Sequence, residues 1–207
     1  MKIDLIREKL ANHIPVRIGT SGHQQAAVAL VFKAGDRGSE VLLIERAVKM
    51  GDPWSGHMAF PGGRMESVDD STRSAARRET LEEVGVELSS AEYLGRLDDL
   101  AGNPRVSAKL VIAAHAFFVE APPPFVLDSS EVQGAIWFPL ASLLDESRWV
   151  EHAISELPDM RFPGVLVGEK GRHVVWGLTY RFLEGMLEIL EHPFPRRWGE
   201  DLQFDDF

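Results

Sequence analysis

Three glutamates, Glu79, Glu82 and Glu83, occupy positions i, i+3 and i+4 of a stretch that reads as helix, DSTRSAARRETLEEV from Asp70 to Val84. At about 100° per residue, Glu82 and Glu83 fall on either side of Glu79, within roughly a third of the circumference. Like charges at this spacing destabilise a helix by about 0.2–0.5 kcal/mol per pair. That cost is small, and the helix taken alone reads most simply as a solvated acidic face. A hard divalent ion such as Mg2+ or Mn2+ prefers carboxylate oxygens, however, and this cluster supplies them. The surroundings favour the ion. Phe60-Pro61-Gly62-Gly63 lies one loop upstream, where glycines let the backbone turn sharply or approach a ligand. Ala75 and Ala76 share the glutamate side and leave room there, while Arg78 is placed to orient a carboxylate near Asp69 or Asp70. Leu81 and Val84 lie on the other side of the wheel, suited to packing on a sheet.

The elements around this helix must hold it. Met1 to His13 has the pattern of an amphipathic helix, and Gly19 to Gln25 that of a polar loop. Ala26 to Phe32 and Val41 to Ile44 are apolar runs of strand length joined by turn residues, which predicts a hairpin. Lys49 to Gly56 reads as loop, and strand structure is expected to stop at Pro61-Gly62-Gly63. Asp69, Asp70 or Ser71 would cap the glutamate helix and Gly85 would end it. Further strands are expected at Tyr93 to Leu97, Leu110 to Val119 and Ala135 to Phe138, then a short helix from Pro139 to Leu144. Ser147 to His173 is broken by Pro158, Pro163, Gly164 and Gly168 and has no clear period. Gly177 to Glu191 repeats apolar residues at helical spacing. The simplest reading is a single domain of 207 residues in the α/β (α+β) class, a mixed sheet with flanking helices. Residues 1–20 form an N-terminal helical extension in this reading, and 145–207 a C-terminal extension with a terminal helix.

Composition sets outer limits. The chain has no cysteine, which excludes disulfides, cysteine–zinc sites and thiol catalysis. Its net charge of −10 suits it poorly to long nucleic acids, whose phosphates need a surplus of Lys and Arg. A small phosphorylated ligand held by a few arginines or cations is compatible with that charge. No apolar run is long enough to span a bilayer and the N-terminus lacks a signal-peptide layout, so a cytoplasmic protein without membrane contact is expected. The histidines show no metal-ligand spacing, and His115, inside an apolar strand, reads as a satisfied core residue.

Gly63 followed by Arg78-Glu79-Thr80-Leu81-Glu82-Glu83-Val84-Gly85-Val86 resembles the Nudix box, whose second half reads R-E-U-x-E-E-x-G-U with U apolar. The chain departs from the pattern in three ways. Asp69 or Asp70 stands for the box's first glutamate, the spacing from Gly63 to Arg78 is one residue longer, and Thr80 replaces an apolar residue. The extra residue is expected at the loop–helix junction. Leu42-Leu43, Arg46-Ala47, Gly56, Phe60 to Gly63 and Trp176-Gly177-Leu178-Thr179 further resemble the coenzyme A pyrophosphatases within the Nudix family. An arginine expected four residues before Gly56 is Asp52 here.

The resemblance implies a Nudix fold, a mixed sheet between helices, and a Mg2+- or Mn2+-dependent cleavage of a diphosphate. Glu79, Glu82 and Glu83 would ligate metal, with the Gly63 carbonyl in addition. A carboxylate would act as general base, and Glu79, Glu83 and Glu131 remain open for that role. Arg46, Arg64 and Arg105 are candidates for phosphate contact, and Trp54 for stacking on a base. The substrate implied is coenzyme A or an acyl derivative, giving 3′,5′-ADP and 4′-phosphopantetheine. Hydrolysis of ADP-ribose, dinucleotides or nucleoside triphosphates is the alternative, and a non-catalytic nucleotide sensor a further one. A homodimer is expected from the family, and light scattering would test it.

Overall fold

Ala27, Ala29 and Val31 belong to one apolar cluster, and Ala26, Leu30 and Phe32 to another. Such alternation along a strand means burial on both faces. These residues lie in strand β1 (Gln24–Gly35), which sits within a mixed sheet. In the computed structural model, residues 1–50, 55–102, 109–154 and 157–194 are described. The order of elements is α1 (Ile3–Asn12), β1, β2 (Gly38–Arg46), β3 (Met58–Ala59), β4 (Gly62–Arg64), α2 (Thr72–Val84), β5 (Glu92–Arg96) and β6 (Leu100–Ala101). They are followed by β7 (Leu110–Phe118), β8 (Val132–Pro139), two short 3-10 turns, β9 (Trp149–Ile154), β10 (Leu157–Leu166), β11 (Val174–Val175) and α3 (Gly177–Ile189).

β1 and β2 form the expected hairpin, with Phe32 opposite Val41, and β7 runs parallel to β1. At the far end of the hairpin the two strands receive other partners. There β3 pairs with β2 and β4 pairs with β1, while β8 lies along β2 and β5 along β7. Helix α2 covers one face of this sheet, contributing Ala75, Ala76 and Val84 to its core. Helices α1 and α3 cover the other, contributing Ile6, Leu10, Phe182, Leu183, Met186 and Leu187. The mixed sheet between helices is thus as expected. No helix among the described residues is long and apolar enough to cross a membrane.

Three local expectations need correction. The chain resumes strand structure at Gly62–Arg64 directly after Pro61, because β1 offers it free ladder groups opposite Ala26, Ala27 and Val28. The segment from Ser147 to His173 holds β9 and β10, which with β11 form an antiparallel three-stranded sheet, and Pro163 and Gly164 are accommodated within β10. Helix α2 starts at Thr72, not Asp70, with Ser71 as its cap. The Ser74 amide donates to Ser71 Oγ at 3.1 Å, and the Ser71 amide to Ser74 Oγ at 3.0 Å. This reciprocal capping box satisfies two donors at the helix start. Gly85 ends the helix with a left-handed φ of 72°.

Candidate metal centre

The face that α2 buries differs from the one its wheel suggests. Leu81 is 44% exposed, while Ala75, Ala76, Thr80, Glu83 and Val84 are buried. The small side chains of Ala75 and Ala76 are therefore filled against Ala27 and Ala29 of β1, not left open for a ligand. Alanines on both surfaces let helix and sheet approach closely, and this brings the glutamate-bearing turn against the glycine strand. Thr80 tolerates complete burial because its hydroxyl donates to the Ala76 carbonyl at 2.7 Å.

Two glycines make the close approach possible. The Gly62 amide donates to Glu83 Oε2 at 2.9 Å. Gly62 has a φ of 156°, and a Cβ there would lie 2.3 Å from the Ala27 carbonyl oxygen. A Cβ on Gly63 would lie 2.3 Å from Glu79 Oε1. Any side chain at either position would displace strand or carboxylate, which gives the Gly-Gly pair a physical reason.

Glu79, Glu83 and Glu131 bring carboxylate oxygens within 4.8 Å of one another. Glu83 is 3% exposed, and burial pushes its carboxyl up from 4.5 to about 8, with the neighbouring Glu79 and Glu131 charges adding to the rise. The Gly62 amide and the Arg46 charge oppose that rise without cancelling it. Burial also raises Glu79, against the pull of Arg78. Lys49 Nζ stands 3.5 Å from Glu131 Oε1 and Arg78 Nη1 3.0 Å from Glu79 Oε1, yet burial still raises both helix carboxyls of the trio. That donor chemistry fits a hard divalent cation such as Mg2+ or Mn2+.

Glu82 is placed differently. Its side chain is 57% exposed and is held by Arg78 Nη1 at 2.9 Å, and it is absent from the trio. The wheel explains this: Glu83 and Glu82 lie on opposite flanks of Glu79, so only one of them can share its turn toward the sheet. The third member comes instead from Glu131, which leads into β8 and is fixed by its carbonyl accepting from the Ala47 amide at 2.8 Å. Its sequence signal was only an acidic residue at a strand entrance.

Arg78 organises the rest. Its guanidinium meets Asp69 through Nε and Nη2, the latter at 2.9 Å, and also contacts Glu79 Oε1 at 3.0 Å and the Arg64 carbonyl at 3.1 Å. The Asp69 side chain is 3% exposed, and the hydrogen bonds from Arg78 hold its carboxyl below the usual range. Of the two aspartates weighed for the box's first glutamate, Asp69 is the one that Arg78 holds. Asp70 instead accepts from the Ser71 hydroxyl at 2.9 Å in the loop before the helix. The planar guanidinium fork suits this multiple role, and a lysine could not reproduce it.

Among the other sequence candidates, Arg46 lies at the end of β2 on the side of the trio, where its charge acts on Glu83. Arg64 is exposed on β4, next to Gly63. Trp54, Asp52 and Arg105 lie outside the described residues. His115 is a satisfied core residue. Its Nε2 meets Thr72 Oγ1 and its Nδ1 meets Tyr93 Oη, each at 3.0 Å, and burial drops its pKa from 6.5 to about 3.

The fold and this centre define a class that the comparisons with known proteins identify. The family model for the NUDIX domain matches residues 22–157, and the chain belongs to the Nudix family. Over 159 residues it is 31% identical to the peroxisomal coenzyme A diphosphatase ndx-8 of Caenorhabditis elegans, covering 74% of this chain and 64% of that relative. It is 29% identical to the Nudix hydrolase NudL of Escherichia fergusonii, covering 77% of this chain and 79% of the relative. An uncharacterized protein of Schizosaccharomyces pombe is 43% identical over 108 residues. The alignment with that protein takes in 50% of this chain and only 33% of the relative. The chain thus spans a third of one of these relatives and about two thirds of another.

Proposed function

We propose that this Nudix chain is a metal-dependent diphosphatase that cleaves coenzyme A or an acyl-coenzyme A to 3′,5′-ADP and 4′-phosphopantetheine. The observation that carries the chemistry is the convergence of Glu79, Glu83 and Glu131 beside the Gly62 amide. A cation bound there supplies neutralisation of the diphosphate and activation of water.

The chain's own residues do the remaining work. Glu79 and Glu83 would hold the cation from the helix, with the Gly63 carbonyl as a further donor. Arg78 fixes Glu79 in place while Asp69 fixes Arg78. Glu131 completes the donor set and, as its exposed member, accepts the proton of the attacking water. Glu82 stays outside the set and helps to hold Arg78. Arg46, at the end of β2, and Arg64, on the glycine strand itself, meet the substrate's phosphates.

The substrate assignment rests on the name of the ndx-8 relative and on Leu42-Leu43, Arg46-Ala47, Gly56 and Phe60 to Gly63, which resemble the coenzyme A group. The test is to incubate the protein with Mg2+ or Mn2+ and coenzyme A, acetyl-coenzyme A, ADP-ribose, NADH or nucleoside triphosphates, and resolve the products by mass. Release of phosphopantetheine, abolished by a chelator, is the expected result. Cleavage of another compound alone would keep the chemistry and make Asp52, in place of the expected arginine, the mark of a changed specificity. Tight binding of a nucleotide left intact in the presence of metal would refute hydrolysis in favour of a sensor.

A further inference from the structure

Glu45 is 6% exposed and precedes Arg46, on the opposite face of β2. A buried carboxylate is costly unless it is paired and hydrogen-bonded. Its partners come from 127 residues further along the chain. Arg172 Nε donates to Glu45 Oε1 at 2.7 Å and Arg172 Nη2 to Oε2 at 2.9 Å, a bidentate clasp. His173 Nε2 stands 3.4 Å from Oε2, and the amide of Glu169 donates to the other ring nitrogen of His173 at 2.9 Å. Both partners lie on the turn between β10 and β11, beyond the stretch that the family model matches.

What Glu45 anchors is a bulge. Glu45 pairs with Gly134 in regular register, and the register shifts between Glu45 and Arg46, so that Arg46 faces Val132. The extra residue is Gln133, on β8, and a bulge bends the strand that carries it, here the end that leads to Glu131. On β2 the shift falls between Glu45 and Arg46, and the Arg46 amide donates to the His57 carbonyl while its carbonyl accepts from Gly56, both at 3.1 Å. The next residue, Ala47, donates its amide to the Glu131 carbonyl. The bulge therefore sets both Arg46 and Glu131, one on each side of the proposed cleavage site.

We propose that Arg172 is a positioning residue: the accessory β9–β11 sheet clasps Glu45 through it and so holds the bulge that places Arg46 and Glu131. The inference rests on the diphosphatase reading only for the part played by substrate. Without the clasp a desolvated carboxylate would be stranded, and the end of β2 would relax to solvate it. Metal and phosphate contacts would then loosen together, although Arg172 touches neither.

Wild type, Arg172→Gln, Arg172→Lys and Glu45→Gln are compared for Mn2+ affinity, melting temperature and, with the cleaved substrate, kcat and KM. Arg172→Gln is expected to weaken Mn2+ binding and raise KM by roughly tenfold each, with a smaller change in kcat. Arg172→Lys recovers part of both. Should Arg172→Gln fold poorly, Glu45→Gln, which loses the clasp without stranding a carboxylate, is expected to give the same pattern in milder form. A merely structural contact would lower the melting temperature and leave Mn2+ affinity and KM of the folded protein unchanged, and that outcome overturns the proposal. Mn2+ binding is read without substrate, so a wild type that cleaves nothing refutes the diphosphatase reading while the clasp is still tested.

Discussion

Glu83→Gln is expected to reduce kcat by about a thousandfold, roughly 4 kcal/mol of transition-state stabilisation, while the protein stays folded. Glutamine keeps the shape of the side chain and an oxygen that accepts from the Gly62 amide, the bond made at 2.9 Å by Glu83. It removes the negative charge that a divalent ion would neutralise. Because Glu83 is desolvated beside Glu79 and Glu131, that charge is unfavourable in the metal-free protein. Glu83→Gln should therefore melt no lower than wild type in chelator at neutral pH. Loss of activity with retained stability separates a functional glutamate from a structural one. Steady-state kinetics and thermal melts on the same preparation check both halves.

A pH-dependent stability is the second large effect. Burial raises Glu83 from its ordinary 4.5 to about 8. Across that interval the folded state holds a proton that the unfolded chain releases. Stability from this group is fully present below pH 4.5 and is lost as the pH rises through about 8. His115 gives the opposite limb. Its pKa is depressed from 6.5 to about 3, so stability from it is lost as the pH falls through that range. Subtracting the melting curve of Glu83→Gln from that of wild type removes the histidine and leaves the glutamate. In chelator, wild type is expected to lose melting temperature relative to Glu83→Gln between pH 5 and about 8. Mg2+ should reverse the difference, most strongly at the alkaline end, because the ion competes with the proton. A flat difference curve in chelator would contradict a buried, proton-holding Glu83.

The glutamate helix was legible in the sequence because Arg78 to Gly85 carries its chemistry and its stop signal in consecutive residues. The strands of the mixed sheet were legible for the same reason, as short apolar runs between turn residues. What local pattern could not supply was partner choice. Gly62–Arg64 is a strand only because β1 has diverged from β2 and offers it a ladder. Leu81 is apolar yet exposed, since the helix buries the face carrying alanines and Glu83. The exchange of Glu82 for Glu131 in the carboxylate trio depends on a contact across the fold. No spacing within α2 encodes it. The β9–β11 sheet was hidden because Pro163 and Gly164 lie inside β10, where their usual meaning is a break. Glu45 and Arg172 gave no signal at all, being single charged residues far apart in sequence.

Electron paramagnetic resonance of Mn2+ titrated into the metal-free protein tests the central claim most directly, with wild type, Glu83→Gln and Glu82→Gln compared at one pH. The trio of Glu79, Glu83 and Glu131 predicts saturable binding by wild type. It also predicts a weakening of about a hundredfold in Glu83→Gln and a much smaller change in Glu82→Gln, whose side chain lies outside the trio. Equal binding by wild type and Glu83→Gln would show that the metal, if it acts at all, is held elsewhere, and would contradict the account.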